Sequence, residues 1–273
     1  MKLGVFAKTF PGQDPHTVLA AARNAGYACV QYNMACSGLG SLPSEIGADA
    51  IRLIRAAIAE TGIEVAAVSA TYNMIHPDRH ERERGRCAFR AIATAAAQLG
   101  VRVVTVCTGS RDPEDQWRFH PENAGAASWK DLLDEFEALL DDAHQFDVVI
   151  GVEPEIANVV NSAQRARQLL DELRDPHIGI VLDAANLFEA VSLEAQRTIV
   201  KRAAELLGDS IVLAHAKDRL AGGSFAPAGA GVLDYGHYLA VLRNAGFDGT
   251  LIAHGMDANQ ASGVAAFLKA QLP

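Results

Sequence analysis

Short apolar runs alternate with longer amphipathic ones along the whole chain. A brief continuous apolar run reads as a strand buried on both faces. Apolar residues recurring every three or four positions read as a helix with one covered face. Leu3–Phe6 predicts the first strand, and Thr17–Ala25 the first helix, ended by Gly26. Ala28–Gln31 predicts the second strand. The second helix, Glu45–Glu60, carries apolar residues at 46, 50, 51, 54, 57 and 58, close to the helical period, and Gly62 stops it.

The same unit then recurs. Strand Ile63–Val68 precedes helix Glu81–Leu99, closed by Gly100. Strand Arg102–Val106 precedes helix Ser128–Gln145, for which Ser128 is the expected N-cap. Strand Val148–Val152 leads to helix Ser162–Leu173, and Ile178–Leu182 to Ser192–Leu207, closed by Gly208. Strand Ile211–Ala214 leads to helix Tyr235–Asn244, closed by Gly246, and Thr250–Ala253 leads to Ala261–Leu272. Eight strands and eight helices in strict alternation favour closure into a (β/α)8 barrel, an α/β fold, over an open doubly wound sheet. Such a barrel takes about 250 residues. Residues 1–273 are therefore expected to form one domain, and no Pro/Gly/Ser-rich linker divides them. The longest stretches without periodicity, 107–127 and 216–234, each follow a strand. They fall on the face where barrel active sites sit.

Composition narrows the choice of partner. Hydrophobic residues make up 49% and charged residues 21%, which is globular rather than disordered. The formal net charge of -9 argues against nucleic acid or an anionic membrane as the main partner. No run approaches the length of a membrane span and the N-terminus lacks the apolar core of a signal peptide, so a cytoplasmic location is the default expectation. The four cysteines, at 29, 36, 87 and 107, form no CxxC pair; Cys29 and Cys107 read as buried free thiols.

The chemistry gathers where the strands end. The fifth strand runs into Glu153-Pro154-Glu155, with Asn158 close behind; the sixth ends at Asp183, the seventh at His215-Ala216-Lys217-Asp218-Arg219 and the eighth at His254. Each alone has an ordinary reading: a helix cap for Asp183, a satisfied buried imidazole for His215, a loop-facing side chain for His254. Together they bring two carboxylates and two imidazoles to adjacent strand ends, a donor set suited to one divalent ion such as Mn, Zn or Co and ill suited to Ca or Mg. Arg111, Lys217 and Arg219 are candidates for fixing substrate hydroxyls or an anion. Trp117 and Phe119 flank Arg118; they read either as an aromatic lid against a sugar face or as a small core of their own loop. Gly229-Ala230-Gly231 permits close backbone approach. No Walker loop, dinucleotide fingerprint, HExxH or serine elbow is present.

These residues carry a resemblance. Glu153-Pro154-Glu155 with Asn158-Val159-Val160, Val181-Leu182-Asp183-Ala184-Ala185-Asn186, His215-Ala216-Lys217-Asp218 and Gly229-Ala230-Gly231-Val232-Leu233-Asp234 resemble the sugar phosphate isomerase/epimerase family, with its xylose isomerase-like TIM barrel and its ketose 3-epimerases. Ala70-Thr71-Tyr72-Asn73, with His76-Pro77-Asp78 after it, resembles the GTFN-like motif of some members. The resemblance implies one divalent metal held by Glu153, Asp183, His215 and a fourth ligand, with Glu153 also the base. The family's fourth ligand is a glutamate in a segment like LIIE. This chain has Leu251-Ile252-Ala253-His254, so His254 stands in that place as ligand, second acid/base, or both.

The expected activity is a metal-dependent isomerisation or epimerisation of a small sugar or keto-polyol through an enediolate, with Glu153 or His254 moving the proton. His76, Glu155, Lys217, Arg219 and Arg111 are the expected substrate-binding side chains. The alternatives are a metal-dependent lyase or dehydratase of a cyclic polyol, or a catalytically decayed sugar-binding protein. Hydrolysis of damaged DNA on a related barrel would call for a basic track that a net charge of -9 does not favour. Dimers and tetramers are common in the family, which leaves a homo-oligomer open.

Overall fold

A strand that is apolar on both faces still has two edges of unpaired amides, and ring closure satisfies them all. The eight strands are β1 (Lys2–Phe6), β2 (Cys29–Tyr32), β3 (Glu64–Ser69), β4 (Val103–Cys107), β5 (Val149–Glu153), β6 (Ile178–Asp183), β7 (Ile211–Ala216) and β8 (Thr250–Ala253). In the computed structural model, which describes residues 1–272, each pairs in parallel with its neighbours, and β1 closes the ring on β8 with Lys2 opposite Thr250 and Val5 opposite Ala253. The helices are α1 (Pro15–Asn24), α2 (Ala48–Thr61), α3 (Arg79–Leu99), α4 (Ala126–Phe146), α5 (Ala163–Leu173), α6 (Leu193–Leu207), α7 (Tyr235–Asn244) and α8 (Ala261–Gln271). One feature was not expected from the periodicity: a short antiparallel pair, Asp218–Arg219 with Phe225–Ala226, in the loop after β7.

Most helices start where a side chain can take an unpaired amide. Asp14, Asp78, Ser162, Ser192 and Asp234 each accept from a backbone N–H of the first turn. Ser128 does not do this. The N-cap of α4 is Gly125, and Ser128 lies inside the first turn, donating to the Glu122 carbonyl and accepting from Arg111. The spacing had pointed to Ser128 because serine is the common cap, but here its hydroxyl joins a loop to the helix.

Strand side chains alternate in direction, so residues two apart share a face. Val5, Val30, Val104, Ile150, Ile180 and Leu251 belong to the large core packed by the helices. Cys29, Ala67, Val181, Leu213 and Ile252 form a second, smaller apolar cluster inside the ring. Gly4 belongs to this interior: a Cβ there would press on Ile252 Cδ1 and Cys29 Sγ, so only glycine lets those side chains meet. Two positions further along the same strands stand Gln31, Ser69, Asp183, His215 and His254. An apolar plug therefore lies directly beneath a polar layer, and strand alternation dictates both.

Two irregularities set the level of that layer. The β6–β7 register shifts between Ile180 and Val181, and this places Asp183 opposite His215. The unshifted register continuing from Ile180 opposite Ile211 would have put Ala214 there. A second shift, between Val30 and Gln31, re-aims β2 against β3 just where Gln31 turns inward.

Candidate metal centre

Glu153, Asp183, His215 and His254 each offer a ligand atom, and these atoms all lie within 4.8 Å of one another. The first three are buried and His254 is partly so. His215 Nδ1 lies 3.1 Å from Glu153 Oε1, and His254 Nε2 lies 3.0 Å from Asp183 Oδ2. The two imidazole rings sit side by side, 4.5 Å between centroids. Lys217 Nζ reaches Asp183 Oδ2 at 3.4 Å.

The charges settle accordingly. Burial drives the Asp183 carboxyl toward its neutral form, but the Lys217 ammonium and then His254 outweigh it and hold the group well below the usual carboxylate range. Burial acts the same way on Glu153, and His215 reverses it. For Glu155 burial wins: with the Glu153 charge beside it, its carboxyl is pushed up to about 8 against the pull of Lys217. His254 moves down, first by burial and then by repulsion from His215, which favours the neutral, ligating form of its ring.

These residues fit a divalent cation. Gln31, on the far side of the ring, donates through Nε2 to Thr105 Oγ1 at 3.0 Å. Its Oε1 is thereby turned to His215 Nε2, 2.7 Å away, and accepts that N–H. In a neutral His215 keeping its proton on Nε2, the Nδ1 lone pair would point at the Glu153 carboxylate, and a cation between them would satisfy both. Two ligands about 2.1 Å from one ion and ~90° apart are separated by about 3.0 Å, close to the carboxylate–imidazole spacings here. Asn186 steadies the other side by donating to Glu153 Oε1 at 2.8 Å. Such outer partners set tautomer and ligand orientation. Sequence reading missed Gln31 and gave Asn186 no role. Gln31 is the one polar residue in an otherwise apolar strand run, and that was its only signal.

Glu153, His215 and His254 line a cavity of about 1010 Å³, with Asp183 buried against His254. Glu155, Lys217 and Arg219 also line it. Pro154 keeps the chain extended, so Glu155 follows Glu153 on the same side. Phe225 lies under both cations, with Lys217 Nζ 3.9 Å and Arg219 Cζ 4.0 Å from its ring centroid. Asp218 holds the loop behind them. Its carboxylate accepts from the backbone N–H groups of Arg219, Gly229, Gly231 and Leu233 at 2.8 to 3.1 Å. Gly231 is required there, since a Cβ would collide with the Asp218 carboxylate and the Arg219 carbonyl.

Two expected substrate-binding residues do not line this cavity. Arg111 is held by Ser128 Oγ, the Ile75 carbonyl and Asp131, which lies 2.5 Å away; it ties the loop after β4 to α4. His76 lines an adjoining groove of about 430 Å³, which shares Leu42, Thr71, Gln116 and Trp117 with the cavity, and contacts the Pro113 carbonyl through Nε2. Both follow barrel strands in sequence, but contacts within the loops hold them off the cavity wall, which strand-end counting does not reveal.

No curated protein matches the chain in sequence. Solved structures share its fold. 3-Keto-D-glucoside 4-epimerase from E. coli, apo form, superposes with a TM-score of 0.77 at 18% identity, covering 99% of each chain. D-allulose 3-epimerase from Methylomonas sp., in complex with D-allulose, gives 0.76 at 16% identity over 100% of this chain and 97% of that one. D-psicose 3-epimerase, in the presence of D-fructose, gives 0.76 at 14% over 100% and 99%. The sequence pattern of one family covers residues 19–270. With that match over most of its length and a closed eight-stranded barrel around the cluster, the chain belongs to the xylose isomerase-like TIM barrel family.

Proposed function

We propose that the protein is a divalent-metal-dependent isomerase or epimerase of a small sugar or keto-polyol. The observation that carries this reading is the convergence of two carboxylates and two imidazoles within 4.8 Å at the floor of a ligand-sized cavity. The donor set suits Mn, Zn or Co. When bound, such an ion supplies Lewis-acid polarisation of a carbonyl and the hydroxyl beside it. Glu153, kept ionised, is the base for the acidified C–H next to the carbonyl, giving an enediolate. Protonated Glu153 hands the same proton to the neighbouring carbon in a one-base isomerisation. For an epimerisation, His254 would supply a different proton to the opposite face, entering protonated and not as a ligand. Glu155, Lys217 and Arg219 hold hydroxyls in the orientation the proton transfer needs. The structural neighbours that act on keto-sugars by epimerisation support the choice of substrate class.

The test is exchange of the α-proton of D-fructose and D-tagatose in D2O, with and without Mn, followed by chiral product analysis. The reading expects metal-dependent exchange that Glu153→Gln abolishes. Exchange at the full rate in metal-free protein, or in Glu153→Gln, would sink it.

One feature favours a second reading. β8 leads to an imidazole, not a carboxylate, so the site lacks a matched pair of carboxylate bases on opposite strands. A lyase or dehydratase of a cyclic polyol needs only one base and an acid for the leaving hydroxyl. Loss of water from a keto-inositol, read by product mass, would select that chemistry.

A further inference from the structure

A single sugar ring uses only part of this cavity. Cavities that bury drug-sized ligands run about 300–1,000 Å³, and this one is about 1010 Å³. Its outer wall is unusual for a soluble protein. Among the described residues the exposed large aromatic side chains are Trp117, Phe119 and Phe225, at 47%, 63% and 49% exposure. All three line this same cavity. The two in the loop after β4 therefore do not form a core of that loop.

The backbone that carries them is tied to buried side chains. Asn158, fully enclosed, accepts from Gly109 N–H at 2.8 Å and donates to the Gln116 carbonyl at 2.9 Å. Ser110 Oγ donates to the Arg118 carbonyl at 2.6 Å, and Trp117 N–H donates to Asp115 Oδ1 at 2.9 Å. Thus the residue on each side of Trp117 is pinned by a buried polar side chain. An exposed aromatic on a fixed loop is a preorganised ligand surface. Lys8, Arg118 and Glu189 stand in the same wall and can hydrogen-bond hydroxyls. Flat apolar faces among hydrogen-bonding groups suit a ring that is apolar on its faces and polar at its edge.

We infer that the substrate carries a second ring, a pyranosyl or aryl group joined to the reacting keto-sugar, and that Trp117 and Phe119 bind the face of that second ring. The inference rests on the proposed reaction at the Glu153 end, and the experiment separates the two. Calorimetric titration of Mn-loaded protein would compare D-fructose with lactulose and isomaltulose, ketoses that carry a pyranose ring, and with 4-nitrophenyl β-D-glucopyranoside. At least one two-ring probe is expected to bind about fivefold or more tightly than D-fructose. In the Trp117→Ala/Phe119→Ala double variant that preference collapses below about twofold, while Trp117→Phe retains most of it. A lead for the disaccharides assigns a pyranosyl second ring; a lead for the nitrophenyl glycoside assigns an aryl one.

Equal binding of D-fructose and all two-ring probes overturns the inference, as does a preference that survives in the double variant. A dimer that the double variant dissolves, with no preference among sugars, also overturns it and assigns the aromatic face to a second copy. If D2O exchange succeeds and the preference is absent, the inference fails and the proposed reaction stands. If the Trp117-dependent preference is present and no metal-dependent exchange or dehydration occurs, the second-ring site stands and the reaction fails.

Discussion

Strands β5 to β8 deliver Glu153, Asp183, His215 and His254 to the rim, whereas the other half of the ring contributes neutral Gln31, Ser69, Thr71 and Cys107 at or just after its strand ends and its charged lining residues, Lys8 and Arg118, from loops. The charged half is placed by the sheet itself. Its side chains stand one layer above the apolar plug, and their level is fixed by strand register and one shift in β6. The neutral half works through loops. Its strand ends are modest, but the segment after β4 carries Trp117 and Phe119 outward on hydrogen bonds from Ser110 and Asn158. A rigid sheet thus positions the reactive groups, while a pinned loop shapes the space around them. Gln31 joins the halves by reaching across the ring to His215.

The largest effect should come from the charged half. Asp183→Ala removes a ligand and leaves His254 and Lys217 without their shared partner. Turnover is expected to fall about a thousandfold or more, and bound metal, measured by mass spectrometry, should fall with it. Retained metal at one per chain would show that the cluster is not the site. Stripping the metal with chelator should lower the melting temperature by about 5–10 °C, for an ion present near a hundredfold above its Kd, and added Mn, Co or Zn should restore it. An unchanged melting curve would favour a decayed site.

Gln31→Leu sharpens the comparison, because Gln31 belongs to the neutral half and acts on the charged one. Metal affinity is expected to drop about 10- to 100-fold. An affinity equal to wild type would confine the centre to β5–β8. Asn158→Ala should loosen the loop after β4 and cost about 1–3 kcal/mol in urea unfolding, since it leaves buried amide groups unpaired. Metal content should stay near one per chain; loss of metal would mean that the two halves are not independent. The smallest effect belongs to the opposite end of the barrel. Arg102 and Asp147 pair at 3.1 Å in the open, so Arg102→Ala should move the melting temperature by no more than about 1 °C.

Much of this was legible before folding. Alternation of strand and helix patterns set the order of all the barrel elements, and α7 and β8 begin and end where the pattern places them. Boundaries drifted where polar residues join a helix, as in α4, because capping depends on loop geometry that periodicity does not contain. Glu153, Asp183, His215 and His254 stood out as the first polar residues after apolar runs. Arg111 and His76 satisfied the same rule of proximity to a strand end, yet Arg111 is tied to Asp131 and His76 lines the adjoining groove.

By itself, the sequence determined which strands would end in carboxylate and imidazole side chains able to hold a metal. That follows from local chemistry: a buried parallel strand must be apolar until it reaches the rim. Only the tertiary structure decided how those residues face one another. The shift that levels Asp183 with His215, the reach of Gln31 across 184 residues of chain, and the exposure of Trp117 in the cavity that Glu153 and His215 also line all depend on closing the ring. Each is a contact between strands or loops distant in sequence, and no local pattern encodes it.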